Sequence, residues 1–285
     1  MTDVSTIWNK RWAAFRGLGR LLANAAREIW PAAVTFALVV AVWQIAVVVL
    51  EVPQYILPAP SAIAEFFAER GATYVKDTWV TIGETLAVFG LSVVIGVPLG
   101  ALAYRSRLFR RAVYPLLVAS QTFPKLAIAP LFIIWFGFGQ GPIVLVGVLL
   151  TFFAITSTTL VGMQEVRAET IDLSRSIGLS TWQRFRRVEL PQALPSIFGG
   201  LRLGTTLALI GVVVGEFLGT NAGLGYRIVN STANANTLSL FVCLILLVII
   251  GMAFYGAVAL VEWFVMPWRR RESIPIAGRS ALTGV

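Results

Sequence analysis

The chain has no histidine, which removes imidazole-based serine or cysteine triads, histidine metal sites and the usual general base near neutral pH. Its single cysteine, Cys243, stands inside an apolar run, so no intramolecular disulfide is possible and nothing follows about an oxidising compartment. Lysine is scarce too: Lys10, Lys76 and Lys125 follow Asn9, Val75 and Pro124, so there is no Gly-Lys-Ser/Thr loop to cradle a phosphate. Charged residues make up 13% of the 285, against about 25% in ordinary globular domains. Sequence repeats and low-complexity segments are also missing. No secretory cleavage pattern follows the first apolar run, which is expected to remain in the mature protein.

What the chain has is apolar surface: 57% of its residues are hydrophobic. Six runs approach or exceed the roughly 20 residues a helix needs to cross a hydrocarbon core. They lie near 31–50, 82–104, 112–138, 142–163, 197–220 and 238–264. The third is interrupted by Pro115, Pro124 and Pro130 and is read as bent or broken, since each proline removes a donor and clashes with the preceding turn. The expectation is an all-α integral membrane protein with six spans.

The net charge of +9 does not gather into one nucleic-acid-binding patch. Counted outside the spans, Lys plus Arg number five before the first, two in 51–81, four in 105–111, none in 139–141, five in 164–196, one in 221–237 and four after 264. By the positive-inside rule this alternation puts both termini, the 105–111 turn and the 164–196 loop in the cytoplasm. The domains then read as a cytoplasmic segment over 1–30, a first span over 31–50, an outer loop over 51–81, a five-helix core over 82–266 and a cytoplasmic tail over 267–285. In the first segment Trp8, Trp12, Phe15, Leu18 and Leu22 recur at helical spacing among basic residues, the pattern of a helix lying on the inner membrane surface, the alternative being a loose basic tail that only sets orientation.

Three ionisable residues are picked out in or beside the apolar runs: Lys125, Arg202 and Glu216. Charge at membrane depth usually faces protein or water. Arg202 is close enough to the inner boundary to snorkel, whereas Lys125 and Glu216 both fall in the outer half and are weighed as an outer-gate pair or a fixed structural one. The fifth run carries Gly200, Gly204, Ala208, Gly211, Gly215 and Gly219 on one helical face, which favours close helix packing and alternatively lines a path. Gln121, Pro124, Lys125, Gly211, Gly215 and Glu216 are the candidate path and gate residues.

The 164–196 loop is far longer than a connection between two spans requires. Gly178 and Pro191 divide two helical patterns in it, about 165–177 and 181–188, with Ser180 as the expected N-cap of the second. Gly178 suits a sharp turn, and Arg184, Arg186 and Arg187 are available to acidic groups of a partner or act only as topology signals.

Asp172, Leu173, Ser174, Gly178, Val188, Leu190 and Pro191 stand at the spacing of the Glu-Ala-Ala, Gly, Ile-x-Leu-Pro loop of permeases of ATP-binding-cassette importers, which the chain therefore resembles. Asp replaces Glu, Leu-Ser replaces Ala-Ala and Val replaces Ile. The stretches "YILPAPSAI", "PKLAIAPLFIIWFGFG" and "VVVGEFLGTNAGLGY" are similar to permeases of the nitrate, taurine and alkanesulfonate group, whose relatives carry thiamine pyrimidine precursors, riboflavin or aromatic acids. The resemblance spans roughly 50–265. It implies a type I importer permease in a bacterial inner membrane, working as a homodimer with two cytoplasmic ATPases and an extracytoplasmic substrate-binding protein. Asp172, Leu173, Ser174, Gly178, Leu179, Ser180, Arg184, Arg187, Val188, Leu190 and Pro191 would couple to the ATPase. ATP and Mg would be held by that partner, with no cofactor or metal in this chain, lipid around it and no nucleic acid. The rival is a secondary transporter or channel, which the intramembrane charges favour and the loop spacing opposes. A membrane enzyme would need a cluster of acids, histidines or cysteines at one membrane face, and none is seen.

Overall fold

The structure is a computed structural model that describes residues 30, 31, 33–122 and 124–268, with the side chains of 113, 114, 116–118, 120, 121 and 126 excepted. The interfacial helix expected within 1–30, the tail beyond 268 and the side chain of Gln121 lie outside the described residues. The chain divides into two compact units, Met1–Glu69 and Arg70–Val285. In the first, α1 (Ala33–Val49) is followed by α2 (Pro60–Arg70). Gln44 joins the two by donating to the Ser61 hydroxyl at 3.1 Å and accepting from the Ser61 amide at 3.0 Å.

The second unit is all helix apart from short turns, among the described residues. Its elements are α3 (Val75–Arg105), α4 (Arg107–Thr122), α5 (Ala129–Phe136), α6 (Gln140–Gln164), α7 (Ala168–Ser176), α8 (Thr181–Arg184), α9 (Leu190–Gly219), α10 (Leu224–Ala233) and α11 (Thr237–Val265). Four helical stretches are long and apolar enough to cross a membrane, carried by α3, α6, α9 and α11. The third expected span is broken: α4 ends at Thr122, a 3-10 turn covers Lys125–Ile128, and α5 starts with Pro130 in its first turn. The expected 105–111 turn shrinks to Ser106, whose hydroxyl accepts from the Phe109 amide at 3.2 Å as a cap for α4.

The core is a layer of α3, α6 and α9. Val88, Ile143, Ala208 and Val212 meet in its middle, and Met163, Ala193 and Ile197 at the end nearest α7. Close approach comes from glycine. A Cβ on Gly215 would stand 2.9 Å from the Ile143 Cα, and one on Gly96 would stand 2.9 Å from the Phe152 carbonyl. Between α5 and α6 the chain turns through Gly137 and Gly139, both at positive φ, and the Gly139 amide donates to the Gly219 carbonyl at 2.8 Å. Large apolar side chains such as Val94, Ile134 and Met252 are at least 70% exposed, as suits helices bathed in lipid tails.

Candidate functional site: a capped loop at one end of the bundle and a polar latch at the other

The loop between α6 and α9 realises its spacing through local turn chemistry. α7 ends in a Schellman arrangement: the Gly178 amide donates to the Arg175 carbonyl at 2.9 Å and the Leu179 amide to the Ser174 carbonyl at 3.1 Å, with Gly178 at φ 78°. Ser174 is buried, so its small side chain fits where a large one would not. Two residues after the glycine a capping box opens α8: the Ser180 hydroxyl accepts from the Gln183 amide at 3.3 Å, and the Ser180 amide donates to the Gln183 side chain at 2.9 Å. The expected N-cap is therefore found at Ser180.

Pro191 does not end the second loop helix. α8 continues through a π turn at Phe185–Glu189 directly into α9. A proline at 191 cannot donate to the Arg187 carbonyl and crowds it, so the ladder widens and the Leu190 amide reaches back five residues to Phe185. The second helix of the loop is thus the first turns of the fifth span. Phe185 and Leu190 pack on the cluster around Met163, while Val188 is half-buried.

What the loop leaves outside is apolar as well as basic. Leu173, Ile177 and Trp182 are 64%, 66% and 67% exposed, and Trp182 stacks on Phe185 with ring centroids 5.7 Å apart. Trp182, Gln183, Arg186 and Arg187 line a notch of about 470 Å³. Arg184 points the other way, donating from Nε to the buried Glu189 at 2.6 Å, so of the three loop arginines this one has its partner inside the chain. Among the described residues Asp172 pairs with Arg175 alone, at 3.3 Å in the open, an arrangement worth about 0–1 kcal/mol.

At the far end of α9 the expectations change more. Glu216 and Lys125 form no ion pair: Lys125 Nζ sits 5.0 Å from the centre of the Phe153 ring, and Glu216 is fully buried on other partners. Its carboxylate accepts from the Thr81 hydroxyl at 2.7 Å and from the Gly225 amide at 2.6 Å. Thr81 accepts in turn from the Leu224 amide at 2.9 Å, and Asp77 from the Gly223 amide at 3.1 Å. Three amides at the start of α10 are thus satisfied by side chains of α3 and α9. Gly223 and Gly225 are required there, because a Cβ on either would collide with Glu216. Asp77 also pairs with Arg227, whose guanidinium lies 4.5 Å from the Tyr74 ring centre. Beside this latch a polar cavity of about 440 Å³ opens among Lys76, Asn221, Tyr226, Asn230 and Asn236.

Gly211 and Gly215, read as possible path residues, are buried against Gly147 and Ile143 of α6 in the same chain. Pro124 lies exposed at the break after α4. Two acids escaped the list of membrane-depth charges. Glu84 is buried next to Glu216, with their carboxyl groups in contact. Glu262 on α11 pairs with Arg202, whose guanidinium also lies 5.4 Å from the Tyr255 ring centre, so Arg202 is held by α11. A usable signal existed for Glu84: Asp77, Thr81, Glu84, Thr85 and Ser92 stand three, four or seven residues apart, a polar stripe on a spanning helix.

Comparisons with known proteins agree with this geometry. The chain is 36% identical over 241 residues to the formylaminopyrimidine transport permease protein ThiX of Halalkalibacterium halodurans, covering 83% of this chain and 95% of that one. It is 37% identical to the riboflavin transport system permease protein RibX of Chloroflexus aurantiacus, over 84% of this chain and 91% of that one. It is 31% identical to the putative aliphatic sulfonates transport permease protein SsuC of Bacillus subtilis, over 82% and 85%. A solved structure of the MetNI methionine ABC transporter in an inward-facing form shares the fold, with TM-score 0.54, 21% identity, 65% of this chain and 94% of that one covered. Residues 92–265 match the family model described as binding-protein-dependent transport system inner membrane component, and the chain belongs to that family as a transport permease rather than a catalyst.

Proposed function

We propose that this permease works as a homodimer on two ATP-hydrolysing subunits, passing a small solute delivered from outside by a binding protein. We assign it a small anionic or heterocyclic solute, because its relatives are named for sulfonates, riboflavin and formylaminopyrimidine. Lys125, a cation with no acidic partner among the described residues, is compatible with the anionic end of that range. The termini and the α7–α8 loop are placed in the cytoplasm on the strength of the Lys/Arg alternation.

The observation that carries the reading is the α7–α8 tip. Evolution of a plain connection has no use for Leu173, Ile177 and Trp182 held outward by a Schellman turn and a capping box. Exposed apolar groups rimmed by arginine are what a protein groove accepts. Docked there, the tip moves when the two ATPases close, and α8 passes the movement into α9 because the two are one continuous helix.

Gly178→Arg and Gly178→Ala test this together. Nothing lies within 4 Å of a Cβ at 178, so alanine adds only the strain of a positive φ, about 1–2 kcal/mol, whereas arginine also adds bulk at the tip. Uptake by the reconstituted transporter should fall at least tenfold further in the arginine variant than in the alanine one, with less ATPase co-eluting. Full uptake and full ATPase association in Gly178→Arg would sink the docking assignment.

A further inference from the structure

The π turn between the tip and the fifth span is bridged by a buried ion pair. Arg184 and Glu189 are five residues apart, which on an α-helix places two side chains about 140° around the axis from each other. The wider turn brings them to one side, and they meet at 2.6 Å with side chains 13% and 2% exposed. In the π register the pair closes, whereas an α register would start the two side chains on different faces. Glu189 is moreover committed: its second oxygen is buried without a hydrogen-bond partner among the described residues, so losing Arg184 would strand a buried carboxylate. Phe185 and Leu190, at the two ends of the i, i+5 backbone bond, are both pinned in the cluster of Met163, Ala193 and Ile197, which Tyr104 of α3 joins.

We propose that Arg184 and Glu189 are positioning residues that lock the π register, making the α7–α8 tip a rigid extension of α9 and setting the direction in which Trp182 and Arg187 are presented. This rests on the docking role assigned to the tip. The pair itself touches no partner. Pro191 opens the ladder but does not specify the new register, because a proline kink can be accommodated in several ways. The ion pair selects one. Without it, tip and span can rotate relative to one another, and a push on the tip is absorbed in the joint.

The test uses the full transporter, permease with its ATPase and binding protein, in liposomes. The variants are Glu189→Gln, Arg184→Gln and the exchange Arg184→Glu with Glu189→Arg. The single variants should still co-elute with the ATPase, yet move at least tenfold less solute per ATP hydrolysed. Amide hydrogen exchange over 185–190 should speed up by a similar factor. The exchange variant, which can rebuild the pair, should recover a substantial part of both. If singles that keep the ATPase also keep their solute-to-ATP ratio, or if the exchange variant does no better than the singles on either measure, the clamp is wrong. Should the unaltered chain fail to bind any ATPase, the docking reading falls and the clamp with it, a result the variants cannot mimic.

Discussion

Glu216 illustrates how one buried carboxylate organises a whole end of the bundle. Its two oxygens serve two donors from different elements, the Thr81 hydroxyl and the Gly225 amide. Replacing it with glutamine keeps one acceptor and leaves one of those donors unmatched; replacing it with alanine leaves both. An unsatisfied buried donor costs about 1–3 kcal/mol, so Glu216→Ala should melt lower in detergent than Glu216→Gln, and Thr81→Val should fall on the same scale. Lys125 stands apart from this network against Phe153. The losses of uptake in Lys125→Met and Glu216→Gln should therefore add in the double variant, agreeing within about 0.5 kcal/mol when converted to free energy. Partial recovery in the double variant would mean that the two meet in a conformation unlike the one described.

Helix α9 shows what a stripe of glycine does in a spanning helix. Gly211 and Gly215 lie so close to α6 that a Cβ on Gly215 would sit 2.8 Å from the Ile143 Cγ2, and the same face further down meets Ile155 at Gly204. Gly215→Val should cost about 1–3 kcal/mol by overpacking and reduce uptake only in proportion to the folded protein remaining. Uptake lost without loss of thermal stability would instead return Gly215 to the solute path. This face was legible in the sequence because steps of three and four need no partner to be seen. Gly178 and Ser180 were legible for a related reason: a Schellman glycine and a capping box are written within a few residues. The π turn was not legible, since α-helical periodicity sets positions 184 and 189 on different faces. The latch was hidden by distance, its bonds from α3 joining residues 135 to 150 apart in the chain. Glu84 was overlooked by reading each charge singly instead of following the polar stripe along α3.

Across the whole molecule the two ends of α9 are some 45 Å apart at 1.5 Å per residue, one carrying the tip proposed to dock and the other the latch on α10. Their sides of the membrane can be read directly. With Cys243 buried, a cysteine at Thr181 becomes the reactive thiol among the described residues. An impermeant maleimide should label Thr181→Cys only after the cells are opened and Asn234→Cys without opening; the reverse would invert the topology. Family membership removes the secondary-transporter and channel readings and leaves the solute to be identified by its delivery protein. The latch also bears on how the chain is made. Asp77 and Thr81 enter the membrane with α3, and the amides they serve lie 146 and 143 residues later, which at ribosomal speed is a delay of roughly ten seconds. Until α10 arrives, Asp77 and Thr81 of α3 lack the amides they hold in the finished chain. A chain cut short before Gly223 would leave Asp77 and Thr81 without the amides they hold in the finished protein.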